Sequence, residues 1–395
     1  MDTMTSNRTG RQSPDPNMST ELRELQISAF RGLRDLRLED LGRVNLLVGG
    51  NNSGKTSILE AIMLFARPAE ARAWMDSSAG RETRISSKIL AASLRWLFPV
   101  SRQASEDTDV RPVGHLVISG AGRFPMRQLR ASYSGLLVLP EPEGKLDLEA
   151  MSTIDEALRR VDTVDLHLEW ERSAGELATA DGELSFGAEG FRRTEALREA
   201  PALPVEMISP HIHRTSFAPV RAVSAAVTGS YKPQVVELLQ SIDPDITDID
   251  IVQDGPLNPQ IFLQHYRTGP TPLSVFGDGV RRAVVLAALI PRAKDGVLLI
   301  DELESALHVS VLKPVLTMLR RAVNDFGVQV FATTHSLEAV DAFLNTAESL
   351  ENETPGSQED VVLYQLDLEE GERRVKRFGA DQLGRLRFER GLDIR

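Results

Sequence analysis

Gly49-Gly50-Asn51-Asn52-Ser53-Gly54-Lys55-Thr56 fits G-x-x-x-x-G-K-[ST], the spacing of a phosphate-binding loop. Holding a polyphosphate needs many donors aimed at one point. A Gly-rich turn feeding a helix supplies them as backbone N–H groups, and the helix dipole adds positive potential. Glycine at 49 and 54 lets the backbone approach oxygens that a Cβ would obstruct. Lys55 is placed to reach β- and γ-phosphates, and the Thr56 hydroxyl to ligate Mg²⁺. Gly50, Asn51, Asn52, Ser53 and Ser57 complete the nucleotide-binding set. ATP with Mg²⁺ is the expected ligand pair; GTP stays open, because no base-reading motif is evident.

A second group of residues fits the same chemistry. Gly296-Val-Leu-Leu-Ile-Asp301-Glu302 is a continuous apolar strand ending in two carboxylates, the Walker B pattern. Asp301 is expected to hold Mg²⁺ and Glu302 to polarise the attacking water. Another buried strand, Gly327 to Thr334, ends at His335. Phe276-Gly277-Asp278-Gly279 opens a long helical run, where Gly277 and Gly279 leave backbone N–H groups at a helix N-terminus suited to an anion. His211 and His213 have the spacing of half a metal site, with no third ligand cluster nearby in sequence.

The elements that must position these residues can be read around them. Val44 to Val48 is a short buried strand before the loop, and Ser57 to Phe65 a helix with a wide apolar face after it. Leu22 to Leu38 reads as a hairpin with Arg31-Gly32 near its turn. Further strands are expected at 115–118, 135–139, 164–170, 205–210, 246–252, 260–265 and 360–366. Helices are expected at 86–98, 155–160, 231–242 and 380–390. Residues 1–20 are polar and aperiodic, expected to form a disordered tail. Residues 67–135 hold eleven Lys/Arg against six Asp/Glu, while 145–200 is acidic and carries no motif.

The 395 residues are enough for one large domain or two smaller ones. A net charge of −12 repels nucleic acid overall, so contact with DNA would need a local basic patch such as 67–135. The chain has no cysteine, which excludes disulfides and thiolate metal sites and fits a cytoplasmic protein. No apolar run approaches membrane-spanning length, and the first residues lack the apolar core of a signal peptide.

Ile27-Ser-Ala-Phe-Arg-Gly32, followed by Asn45-Leu-Leu-Val-Gly-Gly-Asn-Asn-Ser-Gly-Lys-Thr56, resembles the head domains of ABC-class ATPases of the RecF, SMC and OLD (overcoming lysogenization defect) group. The resemblance implies an α/β fold: a P-loop NTPase core with a mixed sheet, interrupted by a variable α+β insertion. It places the N-terminal part of the core at 21–66, the insertion at 67–204 and the C-terminal part at 205–395. It implies that Arg31 lies near the phosphates or the adenine, and that His335 is the switch histidine contacting the γ-phosphate. Leu303 to His308 resembles the D-loop region, and Phe276 to Arg282 the signature motif L-S-x-G-x-x-R, with Gly277 where a serine is usual. A Q-loop-like residue falls in the region that starts at 205, where Ser209, Arg214 and Gln240 are not separable. ATP sandwiched between two heads, hence a homodimer or higher homo-oligomer, is the implied assembly. The stretch after the core reads as too short for a Toprim nuclease domain and shows no acidic triad of that type, so an ATPase head without that domain is expected. Two roles fit. One is a switch controlling a separate effector, a nuclease or toxin, in a bacterial defence-type module. The other is a RecF-type DNA-repair head clamping DNA. The transporter class is disfavoured, because L-S-G-G-Q is missing.

Overall fold

The computed structural model describes residues 21–79, 93–99, 114–135, 163–172, 179–187, 190–215, 217–253, 259–353, 361–369, 372–389, 391 and 393. The tail 1–20, the loop 99–111 beyond Pro99, the helix 155–160 and most of the helix 86–98 fall outside these residues.

Two sheets and the P-loop helix between them form the frame of the site. The chain opens with β1 (Leu22–Phe30) and β2 (Leu33–Leu38), an antiparallel pair with Phe30 opposite Leu33. Arg31 turns the corner at φ 48°. Then come β3 (Val44–Gly49), α1 (Lys55–Ala66) and α2 (Ala71–Ala79). The next strands are β4 (Gly114–Gly122), β5 (Met126–Gly135), β6 (Thr163–Arg172), β7 (Thr179–Gly187) and β8 (Gly190–Arg193). All five continue the sheet of the first hairpin, in the order β2-β1-β4-β5-β6-β7-β8, with every neighbour antiparallel. The described strands between residues 67 and 204, β4 to β8, therefore share a sheet with the N-terminal hairpin. The seam is β1 against β4, with Ile27 opposite Ile118. The expected strand 135–139 coincides with the end of β5 at Gly135; the remainder lies outside the described residues.

The second half builds the core sheet. After β9 (Val205–Ile208) come α3 (Ala218–Thr228), α4 (Lys232–Gln240) and a small antiparallel sheet of β10 (Ile246–Val252), β11 (Gln260–His265) and β12 (Gly269–Pro272). Then follow α5 (Asp278–Leu289), β13 (Val297–Ile300), α6 (Val309–Phe326), β14 (Gln329–Thr333), α7 (Leu337–Glu353), β15 (Val361–Glu369), β16 (Glu372–Gly379) and α8 (Ala380–Gly384), which runs into a π-turn to Glu389. The six-stranded order is β16-β15-β3-β14-β13-β9, parallel except for β16. The sheet is thus mixed, as expected.

Strands β13 and β14 are buried along their whole length, and β3 at all but its first residue. This is the burial of parallel strands covered on both faces, and it explains their unbroken apolar runs. From Ile58 to Ala66 every residue of α1 is buried, because the helix lies between the two sheets. Gln329 ties the sheets together: it accepts from the Leu22 N–H at 2.9 Å and donates to the Leu22 and Gly42 carbonyls at 2.8 Å. Helix α5 belongs to the other apolar cluster with α3, α4 and the small sheet. Among the described residues no helix is long and apolar enough to cross a membrane.

Candidate nucleotide site

The loop between β3 and α1 has the geometry its glycines demand. Gly49 has φ +140°, and a Cβ there would run into the Leu366 carbonyl of β15. Gly54, at φ +101°, caps α1, and a Cβ on it would meet the Leu33 side chain of the first hairpin. Asn52 adopts φ 62°, a left-handed conformation that Asn tolerates. Lys55 folds back over the loop. Its Nζ donates to Gly49 O at 2.7 Å, Gly50 O at 2.9 Å and Ser53 Oγ at 3.3 Å. Burial pushes its pKa down, against the pull of Asp301, Glu304 and Glu302.

Across the sheet, 245 residues along the chain, Asp301 meets this loop. The Thr56 hydroxyl lies 3.1 Å from both Asp301 carboxylate oxygens. A hydroxyl and a carboxylate side by side are the hard oxygen donors that Mg²⁺ prefers, so the pair fits the expected ion. Thr333 at the end of β14 orients them: its hydroxyl donates to Asp301 Oδ1 at 2.7 Å and accepts from the Glu302 N–H at 2.8 Å. Sequence reasoning missed Thr333. The available signal was a hydroxyl closing an otherwise apolar strand.

The geometry separates two neighbouring glutamates. Glu304 is held by the residues just after β14: Thr334 Oγ1 donates to Oε2 at 2.7 Å and the His335 N–H to Oε1 at 2.8 Å. Glu302 sits at φ 48°, and among the described residues its carboxylate makes no hydrogen bond or ion pair. The side chain of His335 is exposed.

Arg282 secures the Walker B turn from the other side. It is fully buried and donates to the carbonyls of Pro210 at 2.8 Å, Asp301 at 3.1 Å and Glu302 at 2.8 Å, with Ser209 O at 3.4 Å. Burial lowers its pKa to about 10, opposed by Glu302, Glu304 and Asp301. At the start of the same helix, Asp278 is already neutralised. Arg214 reaches its Oδ2 at 2.7 Å and Arg281 its Oδ1 at 3.0 Å. The helix start at Gly277 to Gly279 therefore presents an occupied carboxylate as well as N–H groups. Gly279 packs towards the Ala306 carbonyl, linking the signature segment to the turn after Glu302.

Arg31 reaches the two helices that follow the loop. Its guanidinium is bound to the nearly buried Glu60 of α1, at 2.8 Å from Oε2, and donates to the Ser77 carbonyl of α2. The arginine that touches the loop is Arg373 of β16, which the sequence did not single out. It donates to Ser53 O at 3.2 Å and to the Gly32 carbonyl. His213 is buried with its nearest carboxylate, Asp278, at 3.8 Å, while His211 is exposed; they form no metal pair. Metal-like spacing occurs instead at Asp243, Asp245 and His265, where Arg267 already reaches Asp245 at 2.5 Å.

Two family models match the chain on the motifs that build this site. Residues 21–105 match "AAA ATPase domain" and residues 171–341 match "AAA domain, putative AbiEii toxin, Type IV TA system". An uncharacterized protein of Methanocaldococcus jannaschii, MJECL11, is 44% identical over 71 residues, 18% of this chain and 62% of that protein. The DNA replication and repair protein RecF of Clostridioides difficile is 48% identical over 46 residues, 12% of each chain. The chain thus spans less than two thirds of either relative. A solved SMC head bound to the C-winged helix domain of ScpA aligns at TM-score 0.46 and 12% identity, over 91% of this chain and 98% of that one. Over residues 21–105 and 171–341 the chain is thus similar to AAA ATPase domains, and its phosphate loop and mostly parallel core sheet have the form of a P-loop NTPase fold.

Proposed function

We propose that the protein binds and hydrolyses ATP and uses the nucleotide to drive dimerisation, as a switch on a separate effector. The observation that carries the hydrolytic reading is the meeting of Thr56 with Asp301 beside an unpaired Glu302 carboxylate. The N–H groups of the loop and Lys55 bind and orient the phosphates. Thr56 and Asp301 would hold Mg²⁺, which when bound neutralises charge on the β- and γ-oxygens. Glu302, free of the contacts that fix Glu304, orients a water in line with the γ-phosphate. His335, at the end of the strand next to β13, senses that phosphate. Positioning and charge neutralisation supply the catalysis.

The effector reading draws on the matched model's own description, which names a toxin of a type IV toxin–antitoxin system. A second reading, a head that associates with DNA, draws on the name of the RecF relative and on the exposed Arg374, Lys376 and Arg377 of β16 beside Arg34 and Arg37 of β2. The deciding experiment is ATP hydrolysis by the purified protein with and without duplex DNA, alongside its mass in solution. Lys55→Ala abolishes tight nucleotide binding; Glu302→Gln keeps binding, slows hydrolysis and traps the dimer. Hydrolysis by Glu302→Gln at the wild-type rate would remove Glu302 from its role. Stimulation by DNA that falls steeply with salt selects the second reading, because phosphate contacts release counterions.

A further inference from the structure

We infer that Arg373 is a positioning residue of the nucleotide site, fixing the Ser53–Gly54 peptide so that its N–H faces the phosphates. The inference rests on the nucleotide-binding reading above and adds a residue to it. Arg373 comes from the last hairpin, β15–β16, more than three hundred residues after the loop it touches. Its Nε donates to the Ser53 carbonyl at 3.2 Å, and the same guanidinium donates to the Gly32 carbonyl in the turn of the first hairpin. In a trans peptide the C=O and the following N–H point in opposite directions. No peptide bond in the described chain is cis. Holding the Ser53 carbonyl outward therefore holds the Gly54 N–H inward, where the first N–H groups of α1 also lack intrahelical acceptors.

The peptide needs such a restraint. Gly54 sits at φ +101°, and glycine imposes little barrier to rotation of the plane that precedes it. A flipped plane would present a carbonyl oxygen to the phosphates in place of a donor. The guanidinium also polarises the peptide it grips, strengthening the opposite N–H as a donor. Among the described residues Arg373 has no carboxylate at ion-pair distance. Burial and the neighbouring Arg34 both push its pKa down, which fits a cation placed for an anionic ligand. An arginine suits the task better than a lysine, because one planar fork spans carbonyls on two separate elements.

The test uses the full chain with Arg373→Gln and Arg373→Lys. Calorimetry with Mg²⁺ gives the dissociation constants for ATP and ADP, nucleotide-free melting reports the fold, and kinetics separate KM from kcat. The expected result is a loss of about 10- to 100-fold in affinity for Arg373→Gln, of the size of one or two charged hydrogen bonds. The loss is the same for ATP and ADP, because the loop cradles the phosphates both carry. Arg373→Lys lies between. KM rises with the dissociation constant, while kcat at saturation stays within about twofold. Unchanged affinities in both variants would overturn the inference. So would a loss confined to ATP, which would make Arg373 a γ-phosphate contact instead. Should the Gln variant fail to fold, the Lys variant, which keeps the charge and the stem, carries the same comparison. If the wild-type chain binds neither nucleotide, the site reading itself falls and the inference falls with it; if the wild type binds and the variants match it, only the inference falls.

Discussion

Replacing Arg282 by methionine removes the donors that hold the Walker B turn and keeps most of the stem. Three carbonyls, of Pro210, Asp301 and Glu302, lose partners at 2.8–3.1 Å. Hydrogen bonds from a charged group contribute about 1.5–3 kcal/mol each, so the gross loss is roughly 5–9 kcal/mol. Against this stands the recovered cost of burying the charge. A guanidinium held at about 10 instead of 12.5 is disfavoured by roughly 3 kcal/mol in its charged form. The bonds win, and the net destabilisation is about 2–6 kcal/mol, a large share of the stability of an ordinary domain. The charge persists throughout pH 6–8, so the effect is flat there. Function suffers beyond stability. Glu302 sits at φ 48°, a conformation a non-glycine residue keeps only where its surroundings impose it, and its carbonyl is one of the three that Arg282 holds. Freed of that bond, the turn relaxes and the carboxylate loses the placement that its proposed role requires. Urea unfolding gives the first quantity; ATPase assays well below the melting temperature give the second. The expected kcat falls at least about tenfold with KM for ATP nearly constant, because the phosphate loop is untouched. Wild-type stability together with wild-type kcat would refute the argument.

Two further outcomes follow from single contacts. Thr333→Val keeps the shape of the strand end but removes the hydroxyl shared by Asp301 and the Glu302 N–H. It should cost about 1–3 kcal/mol in unfolding experiments and raise the Mg²⁺ concentration needed for half-maximal hydrolysis; an unshifted Mg²⁺ titration would show that Thr333 does not orient Asp301. His213 is kept below its ordinary pKa by burial, then by Arg282, with Asp278 opposing and Arg214 and Arg281 adding to the depression. The unfolded chain therefore binds this proton at higher pH than the folded one. Stability present above about pH 6.5 is lost as pH falls through the folded pKa. His213→Leu should flatten that acid limb in melting curves, and an unchanged limb would assign it to other groups.

The parts of the site that were legible in the sequence are those in which backbone geometry dictates residue type. Gly49 and Gly54 are fixed by positive φ and close neighbours, and β13 and β14 read as unbroken apolar runs because both their faces are covered. Contacts that only the sheet order creates were not legible. Arg31 and Arg373 both lie beside hairpin turns, and nothing in their spacing says which guanidinium reaches the loop. Folding decides it: β15 pairs with β3 and with β16, which brings Arg373 to Ser53, while Arg31 is captured by Glu60 on the buried helix. The same holds for β4 to β8, whose place beside the first hairpin depends on the pairing of β1 with β4. Asp278 looks in sequence like part of a bare anion site. Its neutralisation by Arg214, 64 residues earlier, appears only in three dimensions.

Each loop around the cradle is gripped from behind by a side chain on a distant element: the phosphate loop by Arg373, the Walker B turn by Arg282, the residues just after β14 by Glu304. Of the three grips, Arg282 alone stands on the helix that opens with Gly277. Its guanidinium and the Asp278 carboxylate are one turn apart on that rigid element, and Arg282 is too buried to swing independently of it. The ion pairs of Asp278 with Arg214 and Arg281 and the bonds to the Asp301 and Glu302 carbonyls therefore stand on one helix. Because Arg282 donates to main-chain carbonyls, it fixes the backbone that carries the Asp301 and Glu302 side chains.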